Sequence, residues 1–171
     1  MAQTWTAFYQ GVAFAVGKNM ASVMNSHAVE ILRIRRICLL NNQVASVVGV
    51  VCQIELRRYT GASIVGGVAV VPVPHASANV APASAVYNHA GVPGGVSAVL
   101  RRVYRSSDEP IITGASNDEI ETIVPLNIIW DAGYGDSNVQ ALALRQDESV
   151  VVWNTAGAAG TLDTWIEFTK E

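Results

Sequence analysis

Lysine and cysteine are both scarce in this chain, with two of each among 171 residues. Cys38 and Cys52 are too few for the disulfide framework that staples a small secreted domain. Charge is sparse too: 15% of residues are charged and 50% are apolar, which excludes a disordered chain of low hydrophobicity. Long apolar runs are missing, and stretches such as 66–74 fall well short of the ~20 residues a spanning helix needs. Met1 to Trp5 show no positive stretch leading into an apolar core, so no signal peptide is expected. Leucine is outnumbered by valine plus isoleucine, 9 to 37. That is the branched-residue bias of strands. At this length roughly two-thirds of the unfolded surface can be buried without a metal or disulfide. The expectation is one all-β domain over residues 1–171.

Charge is unevenly spread. Residues 1–105 hold nine Lys/Arg and two acids, whereas residues 106–171 hold two bases and twelve acids. Unequal halves of one chain usually pair within a fold or between copies. The net charge of −3 lacks the positive surplus of a general nucleic-acid binder. Neither direct nucleic-acid binding nor a membrane partner is expected.

Turn signals such as Asn41-Asn42, Thr60-Gly61, Gly91 to Gly95 and Gly157 to Gly160 recur at spacings suited to short strands, which suggests a sandwich or barrel. The first run is ambiguous, since Trp5, Phe8, Tyr9, Val12 and Val16 fit a helical stripe. Phe8, Val12, Phe14 and Val16 also alternate with small residues. Gly11 and Gly17 would each cost a helix roughly 1 kcal/mol, which favours strand. The clearest period of two runs through Val50, Cys52, Ile54 and Leu56, with Gln53, Glu55 and Arg57 opposite. Leu32, Ile34, Cys38 and Leu40 share a face in the preceding run, which Arg36 interrupts. A hairpin centred near Ala45 would set Arg35 opposite Glu55 and Cys38 opposite Cys52; strands in different sheets would make neither pair. Further on, Val124, Leu126, Ile128 and Trp130 share one face. In the last run Leu162, Ile166 and Phe168 share another. The stretch 72–95, with four of six prolines and little periodicity, reads as a long ordered loop that ends in a bend before a strand starting at Val96.

Motifs that carry chemistry are not found. Gly91 to Gly95 lacks the Lys-Ser/Thr ending of a phosphate loop. His27, His75 and His89 are scattered and near no cysteine, so no metal site is expected; they cap or border loops. There is no Gly-x-Ser-x-Gly elbow. Asp131, Asp136 and Asn138 have the oxygens for calcium, but an Asx-rich turn is the plainer reading. No catalytic or cofactor-binding residue is expected. Both cysteines are read as small hydrophobes of the core.

Arginine is the informative charge, nine residues against two lysines. Arg33, Arg35 and Arg36, then Arg57 and Arg58, then Arg101, Arg102 and Arg105 form three strand-borne clusters. Arginine's planar fork suits partly buried, bidentate pairing with carboxylates, as at subunit contacts. Between Val96 and Tyr104 arginine falls on both faces, which makes that strand a poor sandwich centre and a plausible contact edge.

The stretch from Leu32 to Asn79 resembles a family of virion structural proteins of tailed bacteriophages. The matching elements are Leu39-Leu40-Asn41-Asn42, Val47-Val48-Gly49-Val50, Ile54-Glu55-Leu56-Arg57-Arg58-Tyr59-Thr60-Gly61, Gly66-Gly67 and Val71-Pro72-Val73-Pro74-His75. Leu142 to Ser149, continuing through Trp165-Ile166-Glu167-Phe168, resembles that family's closing hairpin and strand. The resemblance implies a jelly-roll-like antiparallel β-sandwich of about eight strands with little helix. It also implies a capsid cement or decoration role on the exterior of the virion, with the major coat protein and further copies of itself, commonly as a trimer, as partners. It brings no catalytic residue.

Such a module works through contact area and many weak symmetric contacts. The segment Trp5, Phe8 and Tyr9, together with Arg35, Arg36, Arg57, Arg58, Arg101, Arg102 and Arg105, are the candidate contact residues. The alternative is a receptor- or glycan-binding sandwich of a neck or tail, which would use Trp130, Tyr134 and Trp153.

Overall fold

A computed structural model describes residues 3–41, 51–82, 84–106, 126–133, 140–157 and 160–171; the side chains of residues 41, 51, 105, 106 and 126 are outside that description. Among the described residues there are twelve strands and no helix. In chain order they are β1 (Gln3–Ala13), β2 (Lys18–Asn25), β3 (Leu32–Asn41), β4 (Val51–Val65), β5 (Val68–Ala69) and β6 (Val73–Pro74). Then come β7 (Ala85–His89), β8 (Val92–Ser106), β9 (Leu126–Asp131), β10 (Leu142–Leu144), β11 (Glu148–Ala156) and β12 (Thr161–Lys170). Eight of them have six residues or more.

All pairings are antiparallel. The first sheet runs β10-β3-β12-β1-β6, with β9 sharing the β10 side of β3; the second runs β5-β7-β2-β11-β4-β8. From β1 to β4 the chain alternates between sheets, and β10, β11 and β12 do so again. The result is a jelly-roll-like β-sandwich. Its core is lined by Trp5, Tyr9, Ile34, Leu39, Ile166 and Phe168 from the first sheet. Val23, Ile54, Leu56, Val150 and Val152 line it from the second. Phe168 stacks between Trp5 (5.8 Å between centroids) and Tyr87 (5.3 Å), tying β12 and β1 to β7 of the other sheet.

Three bulges decide which side chains enter this core. In β1 the register shifts between Tyr9 and Val12. Gly11 sits there at φ 59°, a conformation that suits glycine, and its N–H donates to the Asp163 carboxylate at 2.6 Å. Trp5, Ala7 and Tyr9 are therefore buried before the shift and Val12 and Phe14 after it, while Phe8 and Val16 are exposed. The strand expected here is present, but its inward face before Gly11 is the opposite one. In β3 the extra residue is Arg35, so Ile37 and Leu39 replace Cys38 and Leu40 on the core face. In β9 the extra residue is Ile129, which is buried while Ile128 is 45% exposed. The face expected through Ile128 is thus corrected; Val124 lies outside the described residues.

The strands β3 and β4 belong to different sheets, so Arg35–Glu55 and Cys38–Cys52 do not pair. Neither cysteine is in a disulfide. Likewise β10 and β11 lie in different sheets, so the Gln146 to Ser149 turn joins the sheets and does not close a hairpin. The stretch 72–95 is not one loop: it contains β6 and β7 and the start of β8, which begins at Val92, not Val96.

Candidate interaction surface

The far end of β4 leaves the plane of the second sheet and crosses its outer face. Ala62 N–H donates to Asp147 O (2.6 Å), and the Asn88 amide donates to Gly66 O (2.9 Å) and accepts from Gly91 N–H (3.1 Å). Beneath this arm lies a second small core of Met24, Tyr59, Ala62 and Val151, with Ile64, Val86 and Trp153 against it. The crossing is tight at Gly67 (φ 84°), where a Cβ would stand 2.2 Å from Asn88 Oδ1 and 2.5 Å from His89 O.

Beyond β4 stands β8, the edge of the second sheet. Thirteen of its residues pair with β4, and none pairs with any other described strand. Val92, Val96, Val99, Leu100 and Tyr104 are all exposed, Val96 to 75%. The strand's two sides carry different arginine chemistry. Arg101 turns toward the first sheet and donates to Ile129 O at 2.9 Å, the carbonyl of the β9 bulge. Arg102 turns to the outer face and donates to Glu55 Oε1 through Nε (2.9 Å) and Nη2.

Glu55 is the most enclosed carboxylate of that face, 3% exposed. Its other oxygen takes two bonds from Arg57, 2.7 Å from Nε and 2.6 Å from Nη2. The Arg57 guanidinium in turn lies 4.9 Å above the Trp153 ring. Burial alone would raise the Glu55 carboxyl, but the Arg57 and Arg102 bonds outweigh it and hold it below the usual carboxylate range. On the same face Tyr104 accepts a separate bond from Gln53 Nε2 at 2.9 Å.

The contact residues expected from sequence are only partly available. Trp5 and Tyr9 are fully buried, and Tyr9 donates its hydroxyl to Ser22 O; they are core residues, not contact surface. Phe8 alone of that segment faces out, 42% exposed and 6.3 Å from Trp165. Four of these candidate arginines already hold carboxylates within the chain: Arg36 with Asp131 (2.9 Å), Arg58 with Glu148 (2.7 Å), and Arg57 and Arg102 with Glu55. The pairs of Arg36, Arg58 and Arg102 tie one strand to another, whereas Arg57 and Glu55 both lie on β4. The Gly133 amide, with Arg36, keeps the Asp131 carboxyl below its ordinary range. Arg35 reaches the Thr169 hydroxyl at 3.3 Å, and the Arg105 side chain is outside the described atoms.

The remaining chemistry is dispersed. Among the described residues no three His, Cys, Asp or Glu side chains group as metal ligands. His27 accepts from the Val29 and Glu30 amides and His75 bonds Thr6 Oγ1, both bordering loops; His89 ends β7 with its ring edge against Tyr9. Cys52 is in the core, whereas Cys38 faces outward from β3, aligned with Trp165 and Ile128, and burial pushes its thiol up to about 11. Trp130 and Trp153 lie in different sheets, and Tyr134 is outside the described residues.

Comparison with family models, with curated proteins and with solved structures finds no match. Function therefore has to be argued from the surface itself. Its most distinctive feature, the run of exposed valines ahead of Arg101, was missed in the sequence because β8 follows no clean period of two. A bulge at Leu100 interrupts it.

Proposed function

We propose that this chain is a non-enzymatic structural subunit of a virion, one that decorates or cements a protein shell by bridging coat subunits and copies of itself. The observation that carries the reading is β8: a fifteen-residue edge strand with exposed apolar residues and arginines, borne on a sandwich with two cores. Large exposed apolar surface on a folded domain marks a contact site. An edge strand with one side of its backbone unpaired is a template for another chain. The internal arginine ties fit the same role, because they fix the strands that a partner would lean on and leave little to rearrange on docking. Sequence resemblance to phage virion proteins supplies the class of assembly.

The experiment is a quantitative protein inventory of purified particles. The proposal expects this chain in a copy number commensurate with the coat protein, and particles stripped of it to release their contents at lower temperature. A few copies per particle would reject the cement role and point to a neck or tail position.

A further inference from the structure

We infer that the loop between β2 and β3, residues 26–31, is an acid-sensitive clasp, closed while the His27 imidazole is neutral and loosened when that ring takes a proton. The inference is independent of the structural-subunit reading.

Local geometry carries it. His27 Nδ1 accepts from the Glu30 N–H at 2.9 Å and from the Val29 N–H at 3.2 Å. A ring nitrogen that accepts has an unshared electron pair, so the neutral ring holds its proton on Nε2. A second proton puts an N–H at Nδ1, facing two backbone donors, and both bonds are lost at once. The rest of the loop's anchorage does not titrate. His27 N–H donates to Asn25 Oδ1 at 3.0 Å, and the Asn25 amide donates to Glu30 O (2.7 Å) and Leu144 O (2.9 Å).

The clasp closes one end of the sandwich. Glu30, held through both its N–H and its C=O, reaches Lys170 Nζ at 3.2 Å, and Lys170 lies 5.8 Å from the Trp5 ring at the head of the aromatic column. Ile31 exchanges two backbone bonds with Glu171, each 3.0 Å. Charged and titratable groups stand on every element packed against the loop. They are Lys170 and Glu171 at the end of β12, Arg33 of β3 paired with Glu171, and Tyr87 of β7. Beside Asn25 stand Asp147 and Glu148, the latter paired with Arg58 of β4. None of these is an imidazole. Between about pH 7.5 and about pH 5.5 an imidazole changes charge while carboxylates, phenols and amines ordinarily do not.

The test is solvent exchange of the Val29 and Glu30 amides by nuclear magnetic resonance, in the full chain and in His27→Asn. Each rate is divided by its intrinsic value at the same pH. An asparagine carbonyl can accept from the same two amides and does not titrate. In the parent, opening at Val29 and Glu30 is expected to rise about tenfold from pH 7.5 to pH 5.5, while Val150 and Ile166 in the core stay protected. In His27→Asn the profile is expected to be flat. A flat profile in the parent overturns the inference, as does a rise of equal size in both proteins. Nitrogen shifts of the ring give a second check that needs no variant: the neutral form must carry its proton on Nε2, and a neutral ring protonated at Nδ1 overturns the inference too.

Discussion

The two sides of the sandwich are finished differently. On one, the sheets end in β5 and β6, each two residues long, and β6 contains Pro74, which has no N–H to offer a neighbour. Val68, Val71, Val73 and Val80 are exposed there, yet the strands are too short to template another. On the other side stands β8, fifteen residues long against two for β5, with Arg101 tied to β9 and Arg102 to Glu55. Exposed valine alone therefore does not mark an interface. Among the described residues, length of unpaired backbone separates the blunted edges from β8.

The largest expected effect breaks the closed side. Phe168→Ala removes the ring between Trp5 and Tyr87 and should lower stability by about 3–5 kcal/mol in denaturant melts. If it costs less than half of that, the aromatic column does not hold the sheets together.

Next comes Glu55→Ala, which leaves Arg57 and Arg102 facing one another. The expected loss is about 2–3 kcal/mol, below that of a fully buried pair because Arg102 is half exposed. The sign with pH follows from the lowered Glu55 pKa. Its stabilisation is present above the ordinary carboxylate range and is lost as pH falls through the folded value. The stability gap between parent and Glu55→Gln should therefore narrow as pH drops from about 6 to about 3. A gap independent of pH would mean that the carboxylate charge is not what ties β4 to β8.

A smaller effect is expected at the crossing arm. Gly67→Ala forces a methyl group onto Asn88 and the His89 carbonyl in a left-handed backbone, a cost of about 1–3 kcal/mol. The smallest belongs to the open edge: Val96→Lys should shift stability by no more than about 0.5 kcal/mol at dilution, since the residue touches little. A larger loss would show that β8 is already covered within one chain.

Much of the fold is legible in residue order. The alternation through Cys52, Ile54 and Leu56 gives the inward face of β4, and Leu162, Ile166 and Phe168 give that of β12. The failures share a cause. A bulge adds one residue and flips every side chain after it, so Gly11, Arg35 and Ile129 each reverse a pattern that looks regular in one dimension. Trp5 and Tyr9 look like surface aromatics until β1 is seen in the middle of a sheet. Similarly, parity alone cannot say whether consecutive strands share a sheet, which is why the Arg35–Glu55 pair stays open until β3 and β4 are found in opposite layers. The arginine fork suits carboxylates, and five of the nine arginines hold one within the chain. That most of them are satisfied at home depends on neighbours distant in sequence, such as Arg58 with Glu148.

The central proposal is that β8, which pairs with β4 alone among the described strands, is covered by a partner in the proposed assembly. Amide hydrogen exchange read by mass spectrometry on residues 92–106, in the dilute protein and on intact particles, tests it most directly. The account predicts that alternate β8 amides exchange quickly when dilute and become protected on the particle, with the interior strand β11 protected in both. Equal exchange of β8 in the two states would contradict it.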